Sequence, residues 1–559
     1  MKLKTSFFNT RVLLKNLTRF APVWVLYAVA EVLGLLSLNV EKAGIVADDL
    51  THIMGPVAIF HGVYALIVAA CLFGDLFDSR MCNGLHAMPM RREGWLLTGI
   101  ASGLIFALIP AVVGGAVAVA ILKEYYWIGL LWQATSLLQF VFFFGIAVFS
   151  AMCAGKRLGM IAIYGILNFL SMLIYWVADA IFEPLLPGVM LSDQWFVRFC
   201  PMASMARNTY VNFYYDDVLG GFFKGFYQDN WNYLYLCTGS GVVFLLLSWL
   251  LYRKRSLETA GDFVSFRPTG IVFLLTYTLA VGTLLYSFGD LLGMYRDYGF
   301  LVVGLLIGWF TGWMLLERTV KIFNKKVFLG LAAFAALFAG SIGLTIMDPM
   351  GVAAYVPQTD EIENACMYLQ KDVYYYEHEP YGLTENRFLT EPEDIAQIQQ
   401  LHRMMLETPK ETDGEVITVY VRYEKKNGAS VQRKYEVPAQ SNTAEALKPF
   451  FSDPRMVFKV DDWGVLKGSV RWVTGYPINS NDSIELRDPE QMDALMEAIE
   501  ADCEAGTFAQ HDYFHVNRNY TGSLEIGWEH ALGNSAEYVV VYDDCVNTYA
   551  FLKTLTEKQ

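Results

Sequence analysis

The 559-residue chain has little charge for its length and few of the residue types that usually catalyse reactions. Only 18% of its residues are charged and only eight are histidines. Its eight cysteines include no Cys-x-x-Cys pair and match no disulfide framework, so we expect free, mostly buried thiols. No Gly-x-x-x-x-Gly-Lys-Ser/Thr loop occurs, and this absence excludes a nucleotide site of the P-loop type in this chain.

Long apolar windows dominate the first 347 residues. A hydrocarbon core of about 30 Å needs about 20 apolar residues in a helix, and helices of a soluble core would carry a polar stripe. The sequence therefore predicts a polytopic α-helical membrane protein of about nine transmembrane helices. These spans are expected near residues 21–40, 54–74, 95–122, 129–153, 159–181, 233–252, 270–289, 299–316 and 327–347.

The distribution of Lys and Arg predicts which side of the membrane each connection faces. Alternate connections, beginning with the N-terminus, hold 18 of these residues, whereas the intervening connections hold six. Cytoplasmic loops carry the excess of positive charge, so the N-terminus is expected inside the cell. An odd number of spans then predicts that residues 348–559 form an extracellular domain.

The C-terminal part is strongly acidic. From Asp348 onward there are 37 Asp and Glu against 18 Lys and Arg, a net charge of −19, whereas the membrane part has a net charge of +5. Such a domain would repel nucleic acid and anionic headgroups and attract cations or cationic peptides. The simpler interpretation is that the charge only keeps the domain soluble.

The same part reads as an α+β domain. A hairpin is predicted from residues 416–424 and 430–437 around Asn427-Gly428, and further strands are predicted at 523–528 and 538–542. Thr390 and Glu393 suggest a capping box, and Asp488-Pro489 suggests a second helix start. His511 and His515 are four residues apart, but the intervening residues favour strand or loop, so no metal site is predicted.

Two other segments have an interfacial character. In residues 1–20, basic residues recur every four positions beside apolar ones, a pattern typical of a helix lying at the membrane surface. The ordinary positive flank of a first span explains the same residues about equally well. Residues 182–231 are rich in Phe, Tyr and Trp, which favours an external segment at the membrane interface.

The connection after the second span carries the most specific motif. It contains Asp75, Arg80 and the segment His86-Ala-Met-Pro89-Met-Arg-Arg-Glu93. This segment resembles the His-Ser-Leu-Pro sequence, followed by basic residues and Glu, in permease subunits of bacterial ABC-2 type transporters, chiefly from Gram-positive bacteria. Ala87 and Met88 depart from the more common Ser-Leu.

A second match follows the sixth span. Residues 253–262 (Arg-Lys-Arg-Ser-Leu-Glu-Thr-Ala-Gly-Asp) resemble the basic Glu-x-Ala-Gly linker of the same permeases. The resemblance covers residues 1–266, with 21–252 as the six-span permease core and 253–269 as a cytoplasmic linker. Spans at 270–347 and the acidic domain at 348–559 resemble a longer branch of these permeases.

The resemblance implies a non-catalytic transporter subunit that binds no cofactor itself. A separate ABC ATP-binding subunit would bind ATP and Mg²⁺, and a second permease copy or paralogue would complete the pathway. Contacts to the ATPase are expected mainly from the connection after the second span, with a minor contact at residues 156–159. The implied coupling residues are Asp75, Arg80, His86, Pro89, Arg91, Arg92 and Glu93, and the implied linker residues are Arg253, Glu258 and Gly261.

Several polar side chains fall inside the predicted spans, where burial in lipid is costly. They are Glu31, His61, Gln133, Gln139, Asn168 and Asp179. Asp179 lies near a span end, where it can reach headgroups or water. Glu31 lies in the middle of its span, and we expect it to pair structurally with a partner such as His61 rather than to bind cargo.

Two functions remain open at this point. The first is a permease that exports a hydrophobic or amphipathic compound or removes an antimicrobial peptide. The second is a receptor-like membrane sensor whose acidic domain binds a ligand. No nucleophile elbow or paired-carboxylate motif supports an enzyme.

Overall fold

The computed structural model describes most of the chain. The described residues are 8–37, 43–87, 91–122, 126–191, 193–208, 212–213, 226–227, 231–294, 298–369, 388–408, 416–458, 460, 462–477, 483–508, 519–530 and 533–556. Contacts divide the chain into two units. The membrane unit comprises residues 1–180 and 192–340, and the C-terminal unit comprises 181–191 and 341–559.

The membrane unit is built from long apolar helices. Eight helices in the described part of the chain are long and apolar enough to cross a bilayer, and a ninth span results if one bent helix pair is counted as a single crossing. The helices are α1 (Thr10–Arg19), α2 (Ala21–Leu36), α3 (Ala43–Leu72), α4 (Ser79–His86), α5 (Arg92–Leu122), α6 (Tyr126–Cys153), α7 (Arg157–Val177), α8 (Gln194–Arg198), α9 (Pro201–Asn208), α10 (Trp231–Lys254), α11 (Arg267–Leu291), α12 (Tyr298–Glu317) and α13 (Lys325–Met347).

The bent pair is α1 and α2, which meet at an angle of 63°. Asn9 caps α1 by accepting from two backbone N–H groups, and Pro22 lies in the first turn of α2. Pro is favoured there because it fixes φ and needs no N–H partner. α2 has only 16 residues, so the first span is shorter than the predicted 21–40 and continues α1 through a bend.

Glycines allow the helices to approach closely. An added Cβ at Gly145 of α6 would lie 2.1 Å from the Gly241 carbonyl oxygen of α10. At Gly308 of α12 it would lie 2.9 Å from Thr278 Cα of α11. Small residues at such crossings are typical of helices that associate in lipid.

The C-terminal unit contains two small antiparallel sheets. β3 (Ile362–Leu369), β4 (Val416–Lys425) and β5 (Ser430–Pro438) form one in the order β3-β4-β5. β6 (Val470–Pro477), β7 (Ile484–Leu486), β8 (Tyr520–His530) and β9 (Gly533–Tyr542) form the other in the order β7-β6-β8-β9. Two-residue strands, β1 (Asn212–Phe213) and β2 (Phe226–Tyr227), pair in the membrane unit.

The described part of this unit also contains six helices. They are α14 (Pro392–Glu407), α15 (Asn442–Ser452), α16 (Pro454–Val457), α17 (Trp463–Ser469), α18 (Pro489–Glu504) and α19 (Val546–Thr556). α14 and α15 pack on the first sheet around Ile398 and Leu447, and α18 packs on the second around Ile499. Each sheet therefore has its own hydrophobic core.

Most local predictions for this unit are confirmed. The hairpin pairs β4 with β5, and Asp488 caps α18 as expected. The predicted capping box is wrong: α14 starts after Glu391 with Pro392 at its first position, and no side chain caps it. Pro at the first helical position moved the start past Thr390, because it is already constrained to helical φ.

All eight cysteines are free, and seven of them are buried. The expected state of the thiols is therefore confirmed. Burial also raises the pKa of Cys366 to about 12, so this thiol is protonated and unreactive at neutral pH.

Candidate functional site

Backbone and side-chain hydrogen bonds join three segments at one end of the membrane unit. They are the described residues 74–87 and 91–93 after α3, 153–159 between α6 and α7, and 252–266 after α10, and we name this arrangement the clasp. The Gly261 N–H donates to the Gly155 carbonyl at 2.7 Å, and Ser265 N–H donates to the Cys153 carbonyl at 2.7 Å. An added Cβ at Gly155 would lie 2.1 Å from the Thr259 carbonyl oxygen, so only glycine permits this contact.

Arg255 lies at the centre of the clasp. Its guanidinium is buried and donates to the carbonyl oxygens of Ala151 at 2.8 Å and Leu76 at 3.2 Å. Burial lowers the pKa of Arg255 to about 10, and it is still protonated at pH 7. The guanidinium donates to otherwise unpaired carbonyls at the C-terminal end of α6, and the negative end of the helix dipole stabilises its positive charge.

Two predicted coupling residues, both partly exposed, make contacts within the clasp. Arg92 donates to the Arg255 carbonyl, and its guanidinium lies 4.7 Å from the Tyr252 ring centroid. Glu93 pairs with Arg253 at 3.3 Å. These contacts join the start of α5 to the end of α10. Both side chains therefore hold the linker after α10 against the segment that leads into α5.

The short helix α4 forms an exposed surface of the clasp. Arg80 and Met81 are exposed, with Met81 at 49%, while Cys82 is buried against the core. Ser79 Oγ donates to the Ala260 carbonyl at 2.9 Å and fixes α4 to the linker. α4 therefore combines a solvent-facing side with a rigid attachment to several span ends.

The other predicted residues of the clasp have varied positions. Asp75 lies 3.8 Å from Arg19 of α1, an ion pair between partly exposed side chains. Arg91 and Glu258 are exposed. Gly261 adopts φ +95° and its carbonyl accepts from Arg318. Pro89 and the side chain of His86 lie outside the described residues, as do His511 and His515.

The structure brings four of the polar span residues together in a buried cluster. His61 Nδ1 lies 2.6 Å from Gln139 Oε1, and His61 Nε2 lies 3.3 Å from Glu31 Oε1. Gln133 donates to the other Glu31 oxygen at 3.1 Å. The expected pairing of Glu31 with His61 is therefore present, and it joins α2, α3 and α6.

Asn168 and Asp179 are not part of this cluster. Asn168 is buried on α7 and donates to the Tyr164 carbonyl at 2.8 Å, while its backbone carbonyl accepts from Cys200 Sγ. Asp179 is half-buried in the π-helix Ala178–Phe182 that follows α7.

We expect Glu31→Gln to lower the stability of the membrane unit by about 1 kcal/mol, since hydrogen bonds between membrane helices average about 0.6 kcal/mol and this carboxylate makes two. Thermal unfolding in detergent would measure it. The double variant with His61→Gln should lose less than the sum of the single losses, and strict additivity would contradict the pairing.

A second buried histidine organises the C-terminal unit. His402 of α14 lies 3.0 Å from Tyr423 Oη and 2.8 Å from Tyr435 Oη. Burial, together with the positive charges of Arg433 and Arg403, lowers the pKa of His402 to about 3. The imidazole is therefore neutral and fixes the two tyrosines of the first sheet.

These tyrosines support the attachment of residues 181–191 to the C-terminal unit. Gly188 packs against the Tyr435 ring, and its carbonyl accepts from the Lys434 N–H at 3.0 Å. Val189 forms a β-bridge with Arg433, whose buried guanidinium also donates to the Val352 carbonyl at 2.8 Å. One strand thus binds the segment after α7 and the segment after α13.

Sequence reasoning missed Arg255, Tyr252 and His402. Arg255 was counted only as one of several positive charges after the sixth span. Its neighbours Arg253 and Lys254 are exposed. No local pattern distinguishes the buried member of such a run, because its acceptors come from other segments of the chain.

The chain matches no family model, no curated protein and no solved structure. The function is therefore argued from its own residues.

Proposed function

We propose that this chain is the membrane-spanning permease subunit of an ABC transporter, driven by a separate ATP-binding subunit that docks on α4. The observation that carries the proposal is the exposed helix α4 (Ser79–His86), fixed by Ser79 to the linker after α10. A force applied to α4 reaches several spans at once. Arg255 ties the end of α10 to α6 and to Leu76 in the connection after α3 through direct hydrogen bonds.

The charge of the clasp agrees with a cytoplasmic position. It contains Arg80, Arg91, Lys156 and Lys254 on exposed positions, in line with the retention of basic loops inside the cell. α4 also has an exposed apolar side chain, Met81, and Leu158 is a second exposed apolar residue of the clasp. A mixed basic and apolar surface is typical of protein docking sites.

The C-terminal domain is proposed to be extracellular. Residues 181–191 follow α7 and belong to the same unit as residues 341–559. Four long apolar helices, α10 to α13, separate these two segments. An even number of crossings returns the chain to the same face of the membrane, so the attachment of both segments to one unit supports this arrangement.

The proposed cargo is hydrophobic or amphipathic. An open groove of about 390 Å³ runs between α5 and α6 and is lined mainly by small and apolar side chains. Gln133 also lines it, and the same side chain donates to Glu31. The groove therefore places one polar group, backed by a carboxylate, inside an apolar surface. Its lining residues are Ala111, Val112, Gly115, Ala116, Val119, Leu130, Gln133, Ala134 and Leu137.

The docking role predicts that Arg80→Glu with Met81→Asp prevents copurification of the ATP-binding subunit. Both substitutions change the exposed side of α4 and leave buried Cys82 in place. Charge reversal at an interface costs several kcal/mol through like-charge contacts, so at least a tenfold loss of ATPase recovery is expected. The measurement is affinity purification in mild detergent followed by an ATPase assay.

The matched control is Lys321→Glu, an exposed basic residue after α12 and outside the clasp. It should leave ATPase recovery unchanged. Equal recovery with the α4 variant would count against docking on α4. Absence of any ATPase from the wild-type preparation would favour the receptor-like sensor. Arg92 is unsuitable for this test, because its replacement would disturb the contact with Tyr252.

A further inference from the structure

The second sheet of the C-terminal unit has one covered face and one exposed face. Val473, Leu524, Ile526, Val539 and Val541 point into the hydrophobic core. Side chains alternate along a strand, and residues paired across an antiparallel ladder share a face. The other face therefore carries the alternate positions of β6, β8 and β9.

Tyrosines are concentrated on that exposed face. Tyr476 pairs with Ser523 across the ladder, and Tyr538 pairs with Glu525. Tyr520 lies at a register shift at the start of β8. Tyr476 is 40% exposed, Tyr538 58% and Tyr520 41%, which is high for large aromatic side chains. We name this set, with Ser523 and Glu525, the tyrosine face.

Hydrogen bonds hold the tyrosines in place. Ser523 is buried beneath them and bonds to the Tyr538 hydroxyl, and the Tyr520 hydroxyl donates to the same oxygen at 3.4 Å. The Tyr476 hydroxyl donates to Glu525 Oε2 at 3.4 Å, and the Tyr476 and Tyr538 ring centroids are 6.5 Å apart. Ser523 thus joins Tyr520 and Tyr538, and the carboxylate of Glu525 lies beside Tyr476 and Tyr538.

The chemistry of the tyrosine face favours a cation. The faces of tyrosine rings attract ammonium and guanidinium groups, and Glu525 contributes a negative charge whose hydrogen-bond donor is a phenol. At the edge of the sheet, Glu529 is paired with Arg471 at 2.8 Å. The domain as a whole has a net charge of −19, which draws positively charged molecules toward it.

We propose that the tyrosine face binds a cationic peptide, with Lys or Arg side chains seated between Tyr476 and Tyr538 and paired with Glu525. Charge complementarity selects a peptide over a neutral saccharide, which would also stack on aromatic rings. The binding site is independent of the transport function, because it needs no ATP-binding subunit.

The test uses the full chain in detergent and a fluorescein-labelled octalysine peptide, with binding followed by fluorescence anisotropy at two salt concentrations. A Gly-Ser peptide of the same length is the uncharged comparison. Octalysine should bind and should weaken at high salt, while the Gly-Ser peptide should not bind. Tyr476→Ala with Tyr538→Ala should weaken octalysine binding about tenfold, and Glu525→Gln about fivefold.

Matched controls separate the tyrosine face from general acidity. Tyr549→Ala removes an exposed tyrosine on α19, and Glu504→Gln removes an exposed carboxylate at the end of α18; both should leave affinity within twofold. A thermal melt identical to wild type shows that the tested variants fold. Equal losses in the controls would overturn the proposal, as would binding of a neutral oligosaccharide in place of octalysine.

Discussion

Replacing Arg255 with Met should destabilise the membrane unit by about 3 kcal/mol. The guanidinium is buried and donates to the carbonyls of Ala151, Met152 and Leu76. Methionine fills similar space but leaves these carbonyls without their donor, and each buried group left unsatisfied costs about 1–3 kcal/mol. Hydrogen bonds to charged groups are also stronger than neutral ones.

Thermal or chemical unfolding of the purified chain in detergent micelles would measure this loss. Lys254→Met is the matched control, since Lys254 is the adjacent basic residue and is exposed. The control should change stability by less than about 0.5 kcal/mol. Arg255→Lys should lie between the two, because one ammonium cannot reproduce the planar fork that reaches two segments. Equal stabilities of the Met variants would contradict the central role of Arg255.

Acidification should destabilise the C-terminal unit through His402. Its folded pKa is about 3, below the ordinary value of 6.5, so the unfolded chain binds more protons between these two values. The contribution is fully present above about pH 6.5 and is lost as the pH falls toward 3. Between pH 7 and pH 4.5 this group alone should cost about 2.5 kcal/mol, at 1.36 kcal/mol per pKa unit.

The effect would be measured on the full chain by using limited proteolysis to monitor unfolding of the C-terminal unit at pH 7 and pH 4.5. His402→Gln keeps a donor and an acceptor near Tyr423 and Tyr435 but does not titrate. This variant should be less stable at pH 7 and should lose less stability on acidification. A pH dependence as steep as that of the wild type would show that His402 is not responsible.

Protonation of His402 at low pH also has a structural consequence beyond the loss of stability. Tyr435 both contacts His402 and packs against Gly188. Protonation of the imidazole would remove its acceptor role in this pair. The attachment of residues 181–191 should therefore loosen before the second sheet does, since that sheet has a separate core.

The long apolar helices could be predicted from the sequence because their signal is local. A window of apolar residues long enough to cross a bilayer has few other stable structures, and charged residues mark its ends. The hairpin of β4 and β5 was predictable for the same reason, since Asn427-Gly428 specifies a tight turn between alternating strands. β3, β6 and β7 carried weaker signals and were not predicted.

The roles of individual charged residues could not be predicted in the same way. Arg92 and Arg91 are adjacent in the motif, yet Arg92 packs on Tyr252 while Arg91 is exposed. Burial depends on where α10 ends relative to α5, and that relation is set by contacts over more than 150 positions of the chain. Sequence spacing does not contain this information.

The sequence by itself determined that this chain forms long apolar helices that could span a membrane, that its C-terminal part is an acidic α+β domain, and that Glu31 needs a polar partner. Each follows from the cost of exposing apolar groups to water or of leaving polar groups in lipid, which acts on every residue locally. Only the tertiary structure decided that Arg255 joins the span ends, that His402 fixes two tyrosines, and that Tyr476 and Tyr538 lie beside Glu525. Those arrangements depend on side chains brought together from distant segments, where distance and burial, rather than residue type, decide what each group does.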